Sequence, residues 1–223
     1  MEEFLFTFFN IEVMRAASPI LLQGLWITLL LIMVAVPLGF AGGVLLAMLS
    51  VFRHPLVRWP LIAWVDFVRA FPPLVLLVFI YAGLPFAGIE IGAFGCVAIG
   101  FFLNTSSYYG EILRAGIESI PRGQVEAARS TGLSATQAMG YVILPQAIRN
   151  VLPDLVSNTL EVVKLTSIAS VVALPELLYQ ARQAQSVTYN PSPVVAAAIV
   201  YFLLLWPFVR LLSRLEHKAV ARR

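Results

Sequence analysis

The chain has 223 residues, of which 60% are hydrophobic and 12% charged, with a formal net charge of +3. A soluble domain carries about 25% charged residues, so water cannot solvate most of this surface and lipid must, which excludes an ordinary soluble enzyme or scaffold. The charge excess is small and no basic run alternates with exposed aromatics, which excludes a nucleic-acid partner.

A membrane helix needs about 20 apolar residues. The N-terminus, Met1-Glu2-Glu3, has no basic stretch ahead of an apolar one, so no cleavable leader is expected. Residues 1–18 read as an external segment. The first span is predicted over residues 19–51 and holds Pro37, Gly39, Gly42 and Gly43; the glycines let a second helix approach closely. A basic turn with Arg53, His54 and Arg58 follows. The second span is predicted over residues 60–84, interrupted at Pro72-Pro73, and the third over residues 91–113. Residues 114–150 are too polar to cross lipid. A fourth span, the least apolar, is predicted over residues 151–174. A polar loop then leads to a fifth span over residues 193–212 and a basic tail, 213–223. The fold class expected is an all-α integral membrane protein with about five transmembrane helices, forming one transmembrane domain over residues 19–212. Cys96, the single cysteine, sits in an apolar run and reads as a packing residue; no Cys/His cluster has metal-ligand spacing, so no metal site is expected.

Lys and Arg placement sets the orientation. With five spans, the basic turn, the 114–150 loop and the tail share one side. The other side holds only Arg15 and Arg182, among Glu2, Glu3, Glu12, Glu90 and Glu176. The basic side is expected to be cytoplasmic, with the N-terminus outside and the C-terminus inside.

The 114–150 loop is the most informative segment. Residues 124–131 are rich in helix formers, and Gly132 stands where a helix ends in a left-handed residue. Ser134-x-x-Gln137 is a capping box that starts another helix, and Pro145 is expected to disturb or stop it. Two short helices with a sharp corner result, a shape suited to passing on a push from a soluble partner.

The order Glu126-Ala127-Ala128, Gly132, Ile143-Leu144-Pro145 resembles the EAA loop of ABC importer permeases. The flanking runs Tyr108-Tyr109-Gly110-Glu111-Ile112-Leu113-Arg114-Ala115-Gly116, Ile120-Pro121-Arg122-Gly123-Gln124 and Leu144-Pro145-Gln146-Ala147-Ile148-Arg149 are similar to those of the polar amino acid branch, as is the opening from Gly24 to Leu29. The resemblance implies a type I ABC importer permease fold in the bacterial inner membrane. It implies a coupling helix docked on a cytoplasmic ATPase dimer, with Gly123, Gln124, Glu126, Ala127, Ala128 and Gly132 in that contact. It also implies a second permease, identical or paralogous, and a periplasmic or lipid-anchored solute-binding protein. No cofactor is expected in this chain; ATP and Mg would be bound by the ATPase subunits, since the chain has no Walker A sequence. The function expected is uptake of a polar amino acid or derivative by alternating access. Two positions depart from the family's common pattern: Arg69-Ala70-Phe71-Pro72 stands where Arg-Gly-Thr-Pro is frequent, and Lys164-Leu165-Thr166-Ser167 where Lys-Asp-Thr-Ser is. The second removes an acid near the expected substrate path.

Charges within spans are costly and mark functional candidates. Asp66/Arg69, Glu111/Arg114 and Glu161/Lys164 each lie three residues apart on one helical face. Each pair can neutralise itself, so a structural ion pair and a pathway role both stand. Thr166, Ser167 and Ser170 follow the third pair and could line a wet cleft for a zwitterion. The expected substrate-pathway residues are Arg69, Tyr108, Glu111, Glu161, Lys164, Thr166 and Ser167. Phe79, Tyr81, Phe101 and Phe102 read as packing or interfacial residues. The alternative function, a secondary transporter or channel needing no ATPase, usually comes with more spans and an internal repeat. No catalytic motif is present, so no enzyme activity is expected.

Overall fold

The computed structural model describes residues 1–50 and 55–220; the basic turn at Arg53 and His54 and the last three residues lie outside the described residues. Among the described residues there is no strand. The helices are α1 (Glu2–Phe8), α2 (Ile11–Ser50), α3 (Pro55–Ala70), α4 (Pro73–Phe86), α5 (Ala93–Glu118), α6 (Arg122–Ser130), α7 (Ala135–Ala138), α8 (Leu144–Asn150), α9 (Leu152–Leu165), α10 (Leu177–Thr188) and α11 (Ser192–Val220). A π turn, Met139–Ile143, joins α7 to α8, and a 3₁₀ segment, Thr166–Val172, extends α9.

Among the described residues, three helices are long and apolar enough to cross a membrane: Glu3–Ser50, Leu152–Val172 and Ser192–Arg214. The interrupted pair α3 and α4 makes a fourth if it counts as one span. The remaining expected span, α5, has 26 residues, ample length at about 1.5 Å per residue. Its polar run Asn104-Thr105-Ser106-Ser107 dilutes its hydropathy, and all four side chains are buried. Polar groups inside a membrane are expected to face protein rather than lipid.

Two compact units divide the chain, and the division falls within α2, α5, α9 and α11 and between α3 and α4. One consists of Met1–Val36, Pro73–Phe101 and Leu160–Arg210. Its first core gathers Leu31, Leu77, Val97, Phe101, Val162 and Val172. A second core sets α10 against the start of α2 through Ala17, Leu21, Leu177 and Ala181. Residues 1–18, read as an external segment, are largely helical, and α2 begins at Ile11 rather than near residue 19. The reason is local: the Asn10 side-chain oxygen accepts from the backbone N–H groups of Glu12 and Val13, capping the helix early. The buried Ser192 hydroxyl accepts from the Asn10 N–H at 2.9 Å and ties that start to the head of α11.

The other unit consists of Pro37–Pro72, Phe102–Thr159 and Leu211–Arg223. Its core gathers Ala47, Tyr109, Leu113, Ile117, Ile143, Ala147 and Leu155. Close approach at the α2 glycines is confirmed. A Cβ on Gly43 would lie 2.5 Å from Tyr109 Cβ, one on Gly42 would lie 2.9 Å from Ser106 Cβ, and one on Gly39 would overlap the Thr105 hydroxyl. Pro145 disturbs its helix without stopping it, the first of the two expected outcomes. The chain widens into the π turn at Met139–Ile143 and α8 starts with Pro145 in its first turn, where its missing N–H has no partner to lose.

Candidate functional site

The corner that follows α6 forms as the local chemistry demands. Every residue from Pro121 to Ser130 is exposed except Ala128, which packs inward. Glu126 and Ala127 therefore face outward while Ala128 seats α6. At the end of α6, the Thr131 N–H bonds the Ala127 carbonyl and the Gly132 N–H bonds the Arg129 carbonyl. Gly132 is left-handed, φ 86°, and Arg129 Nη1 clamps the turn by donating to the Leu133 carbonyl at 2.7 Å. The capping box closes both ways: Ser134 N–H to Gln137 Oε1 at 2.9 Å, and Gln137 N–H to Ser134 Oγ at 3.2 Å. Gly123, Gln124, Glu126 and Ala127 thus stand on an exposed helix with a pinned end. A short helix held at its end in this way is a shape suited to carry force.

In the same unit, α5 carries a charged seam. Arg114 grips Glu111 through two bonds, Nη2 to Oε1 at 2.6 Å and Nε to Oε2 at 3.0 Å, and reaches Glu118 at 2.7 Å. The paired geometry is the strong form of a charged hydrogen bond. The Asp66/Arg69 pair expected from spacing does not form. Arg69 instead reaches Glu111 at 3.8 Å and lays its guanidinium over the Tyr108 ring at 5.3 Å. An i,i+3 pair on one helix contributes only about 0.2–0.5 kcal/mol, so a tertiary partner and an aromatic face readily outcompete it. Asp66 borders a cavity of about 170 Å³ that Glu111 and Arg114 also line. The structure therefore brings Arg69, Tyr108 and Glu111 together.

In the other unit, Lys164 and Glu161 form their ion pair on the last turn of α9, with side chains 53% and 66% exposed. Ser167 lies beside them and donates to the Lys164 carbonyl. Thr166 departs from expectation: it is fully buried, donates to the Val163 carbonyl and neighbours the Tyr201 phenol. It is not presented with Lys164, because the chain tightens to 3₁₀ at this residue and turns its side chain inward.

Sequence reasoning placed Glu176 only in a polar external loop. It is fully buried. Its carboxylate accepts from the N–H groups of Leu178 (2.9 Å) and Tyr179 (2.7 Å), capping α10, and from the Tyr201 hydroxyl at 2.9 Å. The Leu177 N–H donates to the buried Thr28 hydroxyl. Gly24 permits this approach, since a Cβ there would sit 2.9 Å from the Glu176 carbonyl oxygen. Burial pushes the Glu176 carboxyl above the usual carboxylate range, against the downward pull of these donors and of Arg182. The cap was legible as an acid directly ahead of a helical run; its burial was not.

Residues 39–220 match the family described as binding-protein-dependent transport system inner membrane component, and the chain belongs to that family. It is 38% identical over 174 residues to the probable amino-acid ABC transporter permease protein YckA of Bacillus subtilis (strain 168), covering 78% of this chain and 77% of that one. It is 35% identical over 196 residues to the probable glutamine ABC transporter permease protein GlnM of the same organism, covering 88% and 91%. A solved amino acid ABC transporter with histidines superimposes with a TM-score of 0.81 at 37% identity, over 92% of this chain and 96% of that one. The chain is thus an ABC importer permease subunit, and ATP hydrolysis resides in a separate subunit.

Proposed function

We propose that this chain carries a polar amino acid or amino-acid derivative across the bacterial inner membrane by alternating access. A cytoplasmic ATPase dimer that binds ATP and Mg would drive it through Gly123, Gln124, Glu126, Ala127, Ala128 and Gly132. The observation that carries this reading is the exposed, doubly capped corner around Gly132, set in a chain whose relatives are named as amino-acid permeases. A second permease, identical or paralogous, completes the pathway, and a periplasmic or lipid-anchored binding protein delivers the substrate. The domain organisation proposed is one transmembrane domain over residues 19–212 with a cytoplasmic loop at 114–150, an external segment at 1–18 and a cytoplasmic tail at 213–223.

Arg69, Tyr108 and Glu111 form one proposed pathway group; Glu161, Lys164 and Ser167 form another. Lys164 is the sharper test. An ammonium at mid-bilayer costs about 2.5–3.5 kcal/mol on insertion scales, so it faces a partner or water. Its pairing with Glu161 and its exposure within the chain leave it able to exchange that partner for a substrate carboxylate. Leu165, where relatives of the amino acid branch often carry an acid, removes one counter-charge and favours a less cationic substrate. The experiment is uptake by the complete complex in liposomes, supplied with its binding protein and a panel of amino acids. ATP-dependent uptake is expected. Lys164→Met should lower uptake while assembly and basal ATPase activity stay near wild type. Uptake without ATP defeats the proposal, and unchanged uptake by Lys164→Met removes this residue from the pathway.

A further inference from the structure

We propose that α3 lies along the cytoplasmic surface of the membrane, with its outer face embedded at the boundary of headgroups and acyl chains, rather than forming the first half of a crossing. At about 100° per residue, the side chains of α3 fall into three sectors. Val65 and Val68 are buried and face the protein. Arg58, Asp66 and Arg69 share a second sector about 80° wide. The third sector runs about 140° from Trp59 through Ala63, Leu56 and Phe67 to Trp64. Every residue in it is exposed and none is charged; Leu56 is 78% and Trp59 70% exposed.

A face this apolar cannot stay in water, and the arrangement identifies what covers it. Tryptophan rings settle at headgroup level. In a crossing helix they collect at its ends, along the axis. In α3 they stand at the two shoulders of the apolar sector, around the circumference, with Leu56 and Phe67 between them. Phe67 stacks on Trp64 at 6.2 Å, which holds that shoulder in place. A crossing helix also has only two environments, lipid and protein. The charged sector of α3 is centred about 130° from the apolar one; within it Arg69 and Asp66 turn to α5, at Glu111 and the cavity beside it, while Arg58 is exposed, as a helix lying in the interface requires of a charge that it offers to the cytoplasm. The crossing is then left to the segment containing α4, which has no charged residue from Pro73 to Phe86. Its 14 residues span about 21 Å, and a shortfall against a ~30 Å core is met by local thinning of the bilayer.

The test uses the full chain in vesicles made with lipids brominated at graded depths. Two variants each keep one tryptophan of α3: Trp26→Phe and Trp206→Phe combined with either Trp64→Phe or Trp59→Phe. Trp59 and Trp64 are expected to be quenched at one shared depth, about 5–10 Å into the headgroup–acyl boundary. A crossing helix would carry Trp64 deeper than Trp59 by up to about 7.5 Å, and that result overturns the proposal. So does protection of both rings, which would mean that protein, such as a second copy of the chain, covers the face. A nitroxide at Leu56→Cys in a Cys96→Ala background checks the centre of the sector independently. It should be more accessible to oxygen than to a water-soluble nickel complex; the reverse order places the face in water and ends the proposal.

Discussion

Gly132 shows how one residue carries a mechanical role through its backbone alone. A Cβ at this position would meet nothing within 4 Å, yet φ is 86°. Any penalty at this site is therefore conformational. A β-branched residue in the left-handed region costs about 1–3 kcal/mol. Gly132→Val should uncouple ATP hydrolysis from transport while the binding protein still docks, whereas Gly132→Asn, which tolerates this conformation, should stay close to wild type. Parallel ATPase and uptake measurements check both. Glu176 works in the opposite way, through contacts. Removing the Tyr201 hydroxyl leaves a buried carboxylate short of a donor, at a cost of about 1–3 kcal/mol. Glu176→Ala removes the cap of α10, at a cost of about 0.5–2 kcal/mol. The two changes act on one hydrogen bond, so Tyr201→Phe and Glu176→Ala should be sub-additive in thermal unfolding. A double variant whose loss equals the sum of the two would show that they are not coupled.

At the scale of elements, the α2–α5 contact rests on small residues. Gly43 faces Tyr109 and the Gly110 N–H, both within 3 Å of where a Cβ would stand. Backbone cannot move aside as a side-chain tip can, so Gly43→Ala should destabilise by about 1–3 kcal/mol, the usual scale of overpacking. Gly83 in α4 supplies the control: nothing lies within 4 Å of its Cβ position. Gly83→Ala should hold or raise stability, since alanine favours a helix over glycine by about 1 kcal/mol. Melting temperatures of the two variants in detergent should move apart. The glycine spacing that allows this contact could be read from the sequence. Its partner could not, because close approach says that a helix comes near without saying which one.

At the scale of the whole molecule, the testable statement is topology. Lys and Arg crowd the segments on one side of the predicted spans, so the N-terminus should be outside and the C-terminus cytoplasmic. Reporter fusions at Glu2 and Arg223 should read opposite sides. Like signals from the two ends would require an even number of crossings and would overturn the five-span arrangement. An in-plane α3 is compatible with it, since the number of crossings does not change.

Local chemistry determined most of what was legible in advance: the helical membrane class from hydropathy, the α6–Gly132 corner from its turn residue, and the start of α7 from Ser134 and Gln137. These features depend on residues within a few positions of one another, where spacing and propensity decide. Tertiary structure decided the rest. Arg69 chose Glu111 and Tyr108 over Asp66 because a helical i,i+3 pair is too weak to hold a guanidinium that has a better partner elsewhere. Thr166 turned inward because the chain tightens into 3₁₀ beside Tyr201. Glu176 became a buried cap because Thr28, Gly24 and Tyr201, all distant in sequence, close around the start of α10. Each of these outcomes is a competition between a local option of a few tenths of a kcal/mol and a buried alternative of one or more, and only the folded chain brings the second competitor into reach.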